Sequence, residues 1–144
     1  MLSTTGSSTP KGWRGIVPLH SNRSDVERLL GPGTGTCKCQ YYLNDMNVFF
    51  NYSPGDCRSG RGGWDVPVDT VVWITVYPKP HLKLSELAID LTKFKKRQGT
   101  LIPEFLYDDE EKGLTLDTYE DNVQAFVQAF IYGPIAADKH LRCH

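Results

Sequence analysis

The stretch TVVWITVYP, residues 70–78, decides the fold of this chain. β-Branched and aromatic residues fill most of its positions, and apolar side chains stand at both odd and even positions. This pattern is typical of a central strand that is covered on each side. Pro78 and Pro80 end the strand, because proline donates no backbone hydrogen bond to a sheet. The sequence therefore predicts a sheet built around residues 70–78.

A short helix is predicted before that strand by SNRSDVERLLGPGTG, residues 21–35. Asn22 or Ser21 is expected to cap its start, with Asp25 completing a capping box. Gly31, followed by proline, ends it. One apolar stripe is formed by three residues at helical spacing, Val26, Leu29 and Leu30. Because about two turns of helix do not persist alone in water, this helix must lie on the sheet.

Two hairpins and a further strand are predicted from the same kind of pattern. Aromatic, β-prone segments at 37–43 and 47–53 flank a tight turn, and the segments 104–108 and 113–120 flank an acidic one. Residues 122–134 supply a third strand that ends at a Gly-Pro pair.

The segment LKLSELAIDLTKFKK, residues 82–96, predicts a second helix. Ser85 is expected to cap it, and three apolar residues stand at helical spacing: Leu87, Leu91 and Phe94. A strand over residues 87–91 is the competing interpretation. The basic residues near its end would complement the helix dipole.

These elements predict one α+β domain over residues 13–144, after a flexible leader at 1–12. The order of helix, hairpin and strand begins again after Pro80. Two α-β-β-β units in tandem are therefore expected, over about 14–79 and 80–136, followed by a C-terminal tail at 137–144. Both helices are expected on one face of a single antiparallel sheet.

The capped helix of the form xxDVxxLLGxP, followed by a hairpin and a third strand, resembles the SmpA/OmlA domain of bacterial outer-membrane assembly lipoproteins. The tandem arrangement is similar to that of the β-lactamase-inhibitor protein family. In this chain the likeness is carried by Asp25, Val26, Leu29, Leu30, Gly31 and Pro32, although the family places its proline one residue later. The stretches YSPGDC and DKHLRC also resemble those of a group of exported bacterial proteins. The resemblance implies a binding module of the envelope or a secreted one, not an enzyme.

Composition and charge limit the classes of function. The 144 residues carry 16 Lys and Arg against 17 Asp and Glu, a formal net charge of −1, whereas nucleic-acid and anionic-membrane surfaces need a clear basic excess. The longest apolar run is strand-sized, so no transmembrane segment is predicted. The first residues lack the pattern of a signal peptide. We therefore expect either a cytoplasmic protein or a chain that begins inside a longer exported precursor.

Four cysteines, Cys37, Cys39, Cys57 and Cys143, indicate disulfides and a periplasmic or extracellular location. Cys37 and Cys39 stand two apart in a predicted strand, so their side chains project from one face and are expected not to bridge each other. Cys57 and Cys143 would then be their partners, and the bridge to Cys143 would contribute up to ~4–5 kcal/mol. A Cys57–Cys143 bridge that leaves the strand thiols free is the other pairing.

A metal site is the alternative use of these thiols, because the tail HLRCH adds two imidazoles. Thiolates and imidazoles are the ligands of tetrahedral zinc sites. The candidate ligands are Cys37, Cys39, Cys57, His140, Cys143 and His144. The Cys-x-Cys spacing is tighter than the usual two-residue zinc knuckle, which favours disulfides, and no cofactor is expected.

The candidate partner-binding residues lie in a glycine-rich loop and on one sheet face. In RSGRGGW, residues 58–64, the large side chains are Arg58, Arg61 and Trp64, and Arg and Trp are enriched at binding hot spots. This loop lacks the Gly-Lys-Ser/Thr ending of a phosphate-binding loop. The sheet face opposite the helices is expected to be open and to present aromatic side chains, namely Tyr41, Phe49, Trp73 and Tyr132.

The function expected from the sequence is that of a non-enzymatic, exported protein-binding or assembly module of the bacterial envelope. One alternative is an accessory subunit of a larger, membrane-associated complex, which docks through its terminal segments. Another is the Cys/His metal-binding protein.

Overall fold

The computed structural model describes residues 12–57, 62–100 and 103–144. In these ranges one antiparallel sheet has eight strands: β1 (Gln40–Tyr42), β2 (Met46–Tyr52), β3 (Val71–Pro78), β4 (Leu82–Lys83), β5 (Lys95–Gln98), β6 (Phe105–Asp109), β7 (Leu114–Thr118) and β8 (Phe126–Tyr132). The strand order is β1-β2-β3-β8-β7-β6-β5, and β4 pairs with the first residues of β8. The α+β class is confirmed.

β3 is an interior strand of the sheet, as predicted, but the expected cover on each side is wrong, because Trp73 and Tyr77 are 40% and 41% exposed. It pairs with β2 on one side and with β8 on the other. Val71, Ile74 and Val76 on this strand are buried. The register shifts where Asn51 pairs with Trp73 while the next residue pairs with Val71, so a β-bulge lies at this end of the strand.

The helix α1 (Arg23–Leu30) begins as predicted. The Asn22 side chain accepts the Asp25 N–H at 3.0 Å, and the Asp25 carboxylate accepts the Asn22 N–H at 2.9 Å, so the capping box is present. Val26 is fully buried in the core, but Leu29 is 47% exposed. The buried stripe is therefore narrower than the sequence suggests.

The prediction of a second helix over 82–96 is wrong. The chain there forms β4, two 3-10 turns (Leu84–Glu86 and Leu91–Lys93) and the edge strand β5, and the competing strand over 87–91 is not formed either. The Asp90 side chain accepts the N–H of Thr92 and starts a 3-10 turn, a local bond that competes with the helix. β5 satisfies its backbone by pairing with β6. Its exposed charged residues suit a sheet edge.

One face of the sheet carries two adjoining parts of the core, and a third, smaller part is formed by Leu19, Val66 and Val72. Over β1 to β3, the core cluster includes Trp13 and Val26 from outside the sheet. Over β6 to β8, the cluster is built around Leu84 and is covered by further apolar residues of the 84–94 segment. Phe130 of β8 packs against both parts. The apolar residues predicted to make a second helix therefore still cover the sheet, in 3-10 and extended conformations.

Two disulfides are present, Cys37–Cys39 and Cys57–Cys143. The expectation that Cys37 and Cys39 do not bridge each other is wrong. β1 begins only at Gln40, and Lys38 lies in a turn with φ of +53°, so the two side chains are not held parallel on one strand face. Their Cα atoms are 5.1 Å apart, within the range of disulfides.

Within the three described ranges, every helix is too short or too polar to cross a membrane.

The two disulfides are expected to differ in their effect on stability. In the chain-entropy model a bridge over 86 residues contributes ~4–5 kcal/mol, whereas a bridge over a separation of 2 contributes ~1–2 kcal/mol. Cys57→Ala/Cys143→Ala should therefore lower the free energy of unfolding by about 3–5 kcal/mol, and Cys37→Ala/Cys39→Ala by about 1–2 kcal/mol. Urea unfolding followed by tryptophan fluorescence measures both. Equal losses in the two double variants would contradict this assignment.

Candidate binding surface

The two faces of the sheet differ in what they present. Side chains of residues paired across strands lie on the same face. One face, which we call the inner face, carries the core residues Val48, Phe50, Ile74, Val76 and Phe130. The other, the outer face, carries a row that crosses five strands through Phe49, Thr75, Ile131, Thr115 and Asp108.

Three aromatic side chains form a continuous row on the outer face, which we call the aromatic row: Tyr42, Phe49 and Tyr77. The Tyr42 and Phe49 ring centroids are 6.3 Å apart, and those of Phe49 and Tyr77 are 5.5 Å apart, both in edge-to-face contact. Tyr42 is 60% exposed and Tyr77 is 41% exposed. The row therefore presents aromatic surface to solvent at the β1–β2–β3 end of the sheet.

Trp73 extends this surface along β3. Its side chain is 40% exposed, and one side of its ring lies against the backbone of Gly133 at the end of β8. A Cβ atom at position 133 would lie 2.0 Å from the Trp73 ring. Glycine at this position therefore fixes where the indole ring rests.

The C-terminal segment lies against the loop that precedes β3. Asp65 N–H donates to Leu141 O at 2.7 Å, and Cys143 N–H donates to Gly63 O at 2.9 Å, so the two segments pair like short strands. The Cys57–Cys143 disulfide adds a covalent link.

A second link fixes the middle of this segment. Nε2 of His20 lies 2.8 Å from Oδ2 of Asp138, which is buried. The neighbouring Ser21 hydroxyl accepts the N–H of Val17 and so stabilises the local turn.

A cleft of about 600 Å³ lies between this segment and the outer face. Apolar walls come from the tryptophans Trp64 and Trp73, together with Leu106, Ile131 and Ile135. Largely apolar walls with a few charged groups are typical of ligand and anchor-residue pockets.

The cleft is lined by three basic residues, Arg97, Lys139 and Arg142, and by three acidic ones, Asp108, Asp109 and Glu110. Arg97 is paired with Asp108, which also accepts the Thr115 hydroxyl at 2.6 Å. Lys139 and Arg142 lie on the opposite wall, and neither has a carboxylate within 4.0 Å among the described residues. The wall formed by the C-terminal segment thus presents two cations without acidic partners.

Asp117 lies on the outer face beside the cleft, paired with Leu106 and Ala129. Burial, together with the charge and hydrogen bond of Glu104, raises the pKa of the Asp117 carboxyl to about 7. Oδ1 of Asp117 has no hydrogen-bond partner among the described residues. A proton on this carboxyl therefore stabilises the native arrangement.

The predicted partner-binding residues divide between several places. Phe49 and Trp73 lie on the outer face, and Trp64 lines the cleft. Tyr41 was expected on the open face, but it is buried in the core, where its hydroxyl donates to Gly31 O. The pairing of Tyr41 with Val48 places it on the inner face.

Tyr132 also belongs to the inner face, since it pairs with Ile74. Arg58 and Arg61 lie outside the described residues. Tyr42 and Tyr77 were not predicted from the sequence as outer-face residues. Alternation along β3 could have indicated Tyr77, because positions 73, 75 and 77 alternate with buried positions.

The proposed metal ligands are not brought together as a metal site. All four cysteines are bonded in disulfides, and His140 and His144 are exposed. Among the described residues, no three His, Cys, Asp or Glu side chains cluster closely enough to hold a metal ion.

Comparison of the chain with protein-family models, curated proteins and solved structures finds no significant match.

Gly133→Ala is expected to push the Trp73 ring from its position and to lower the free energy of unfolding by about 1–3 kcal/mol, as overpacking does. Near-UV circular dichroism and urea unfolding measure the two effects. The matched control is the same substitution in a Trp73→Ala background, where the clash is absent and the cost should fall below about 0.5 kcal/mol. An equal cost in both backgrounds would show that the ring does not rest on Gly133.

Asp117 should make stability depend on pH. Its folded-state pKa lies above the unfolded value of about 4, so between pH 4 and pH 7 the native protein binds more protons than the unfolded chain. Stability contributed by this group therefore falls as pH rises through that window and is level above it. Asp117→Asn should flatten this slope in urea unfolding from pH 4 to 8. Asp45→Asn, at an exposed turn, is the control. An unchanged slope in Asp117→Asn would overturn the assignment.

Proposed function

We propose that the chain is a non-enzymatic, exported module that binds a protein partner through the outer face of its sheet. The observation that carries this proposal is the exposed aromatic row, with Trp73 and the cleft beside it. Exposed aromatic surface next to a pocket is a common feature of protein-binding sites. The inner face buries the two larger core clusters, whereas Tyr42 and Tyr77 of the row stay 60% and 41% exposed.

The cleft suits an anchor residue of the partner. Trp64 and Trp73 offer apolar walls, and Lys139 and Arg142 lie on the wall of the C-terminal segment. An apolar or aromatic side chain flanked by a carboxylate would match both features. The partner segment we propose is therefore apolar at its centre and carries a carboxylate only where it meets Lys139 and Arg142, because Asp109 and Glu110 also line the cleft.

Export is supported by the two disulfides, because disulfides persist in oxidising compartments. We place the protein in the periplasm or outside the cell. The SmpA/OmlA-like assignment remains part of this proposal, and two features support it: the capped helix α1, and the covering of one sheet face in two adjoining parts. A tandem arrangement of two units, over about 14–79 and 80–136, is proposed on the same basis, with 3-10 turns in place of the helix in the second unit.

The second candidate function is that of an accessory subunit in a larger complex. It would use the same outer face, because the C-terminal segment is held inside the chain by Cys57–Cys143 and by Asp138. That arrangement favours docking through the sheet over docking through the tail.

The partner can be captured by placing a photo-cross-linking amino acid at Tyr77 in the cells that make the protein. We expect a cross-linked adduct of defined mass at Tyr77 and at Tyr42. The same probe at Glu27, an exposed residue of the helix α1, should give none. Equal adducts at all three positions, or none at any, would count against the outer face.

Once the partner is purified, Trp73→Ala and Tyr77→Ala should each raise Kd by about 10- to 30-fold, as truncation of an aromatic hot spot does. Tyr119→Ala is the matched control, since Tyr119 is also exposed but lies outside the aromatic row, and its Kd should change by less than about twofold. Isothermal titration calorimetry measures all three. A Kd in Tyr77→Ala no different from that of Tyr119→Ala would contradict the assignment.

A further inference from the structure

The loop that carries Cys37 and Cys39 is closed without its disulfide. Thr34 and Gln40 exchange two backbone hydrogen bonds, Thr34 N–H to Gln40 O at 2.9 Å and Gln40 N–H to Thr34 O at 3.3 Å. The Thr34 hydroxyl also donates to Gln40 O. The two cysteines lie between these anchor residues, so opening their bridge leaves both ends of the loop in place.

The carbonyl groups of the same turn are held from two sides. Nη1 of Arg23 donates to the carbonyls of Cys37 and Lys38 at 3.2 and 3.3 Å. Phe50 N–H donates to Cys39 O at 3.0 Å, which ties the turn to β2. After reduction the two thiols would therefore remain near each other, ready to close again.

Access and charge also favour exchange at this bridge. Cys37 is exposed and Cys39 is half-buried. Lys38 stands between them, and the Arg23 guanidinium, itself 3.4 Å from Asp69, lies on the turn. Cations near a cysteine favour its thiolate, which is both the attacking and the leaving form in disulfide exchange.

The second disulfide is built differently. Cys57 is exposed, but its partner Cys143 is buried, and burial disfavours a leaving thiolate. Opening this bridge would also remove the covalent link of the C-terminal segment that forms one wall of the cleft.

We propose that Cys37–Cys39 is a thiol–disulfide exchange site that oxidises an external dithiol while the protein stays folded. One thiolate of the dithiol attacks Sγ of Cys37, forms a mixed disulfide and displaces Cys39 as a thiolate, which takes up a proton. The second thiolate attacks the dithiol's own sulfur in that mixed disulfide, closes the dithiol's disulfide and displaces Cys37, which is protonated in turn. The dithiol loses two electrons, and the Cys37–Cys39 pair gains them. This activity does not rest on the proposed binding function.

The test uses the oxidised full chain in graded ratios of reduced to oxidised dithiothreitol, with acid quenching, alkylation and peptide mass mapping. We expect Cys37 and Cys39 to be alkylated at reductant ratios at least tenfold lower than those that open Cys57–Cys143. Far-UV circular dichroism should stay native at that point. If the two bridges open together, or if Cys37–Cys39 opens only as the protein unfolds, the bridge is a structural link and the proposal fails.

Two variants test the chemistry itself. Cys39→Ser should trap glutathione on Cys37 as a stable mixed disulfide, seen as an adduct in the intact mass. Lys38→Glu should slow reduction by glutathione about three- to tenfold at pH 7, because a cation beside the sulfurs is replaced by an anion. Lys93→Glu, on a distant exposed turn, should leave the rate unchanged. Equal rates in Lys38→Glu and Lys93→Glu, or no adduct on Cys37, would contradict the proposed step.

Discussion

The antiparallel pairing of β3 with β8 is the interaction on which the rest of the structure depends. It joins Ile74 to Tyr132 and Val76 to Phe130, residues far apart in the chain. Without it, β1 to β3 and β5 to β8 would be two small sheets, each with an exposed apolar edge. With it, the two parts of the core meet at Phe130 and one continuous inner face is buried. Such non-local pairing makes the fold depend on contacts that form late.

The same pairing also forms the outer face, so the two sides of the sheet have different roles. Burial on the inner face supplies stability. On the outer face, β3 brings Trp73 beside the end of β8, where Gly133 leaves room for its ring. The Cys57–Cys143 bridge then holds the C-terminal segment so that it forms the other wall of a cleft. The recognition surface thus combines exposed aromatic residues with two that also serve the core: the buried Leu106, and Trp64, which packs against a small core cluster.

Local signals in the sequence were enough to predict α1, β2, β3 and the β6–β7 hairpin, because caps, β-branched runs and turns act over a few residues. The segment 82–96 was misjudged because a helix and a pair of 3-10 turns direct the same leucines inward. Tyr41 is predicted on the wrong face because a shift of one residue reverses the face of a strand. The Cys37–Cys39 bridge depends on the positive φ of Lys38, and no residue pattern in the sequence predicts this backbone conformation. The cleft was not predictable, since it needs the long-range placement of the C-terminal segment.

Disulfide mapping of the unreduced protein by peptide mass spectrometry tests most directly the claim that a bridged C-terminal segment completes the outer face. We expect a linked pair of peptides that contains Cys57 and Cys143, together with a single peptide in which Cys37 and Cys39 are oxidised to each other. Peptides that link Cys37 or Cys39 to Cys57 or Cys143, or four free thiols, would contradict it. The tail would then lack the covalent link that holds this wall of the cleft in place.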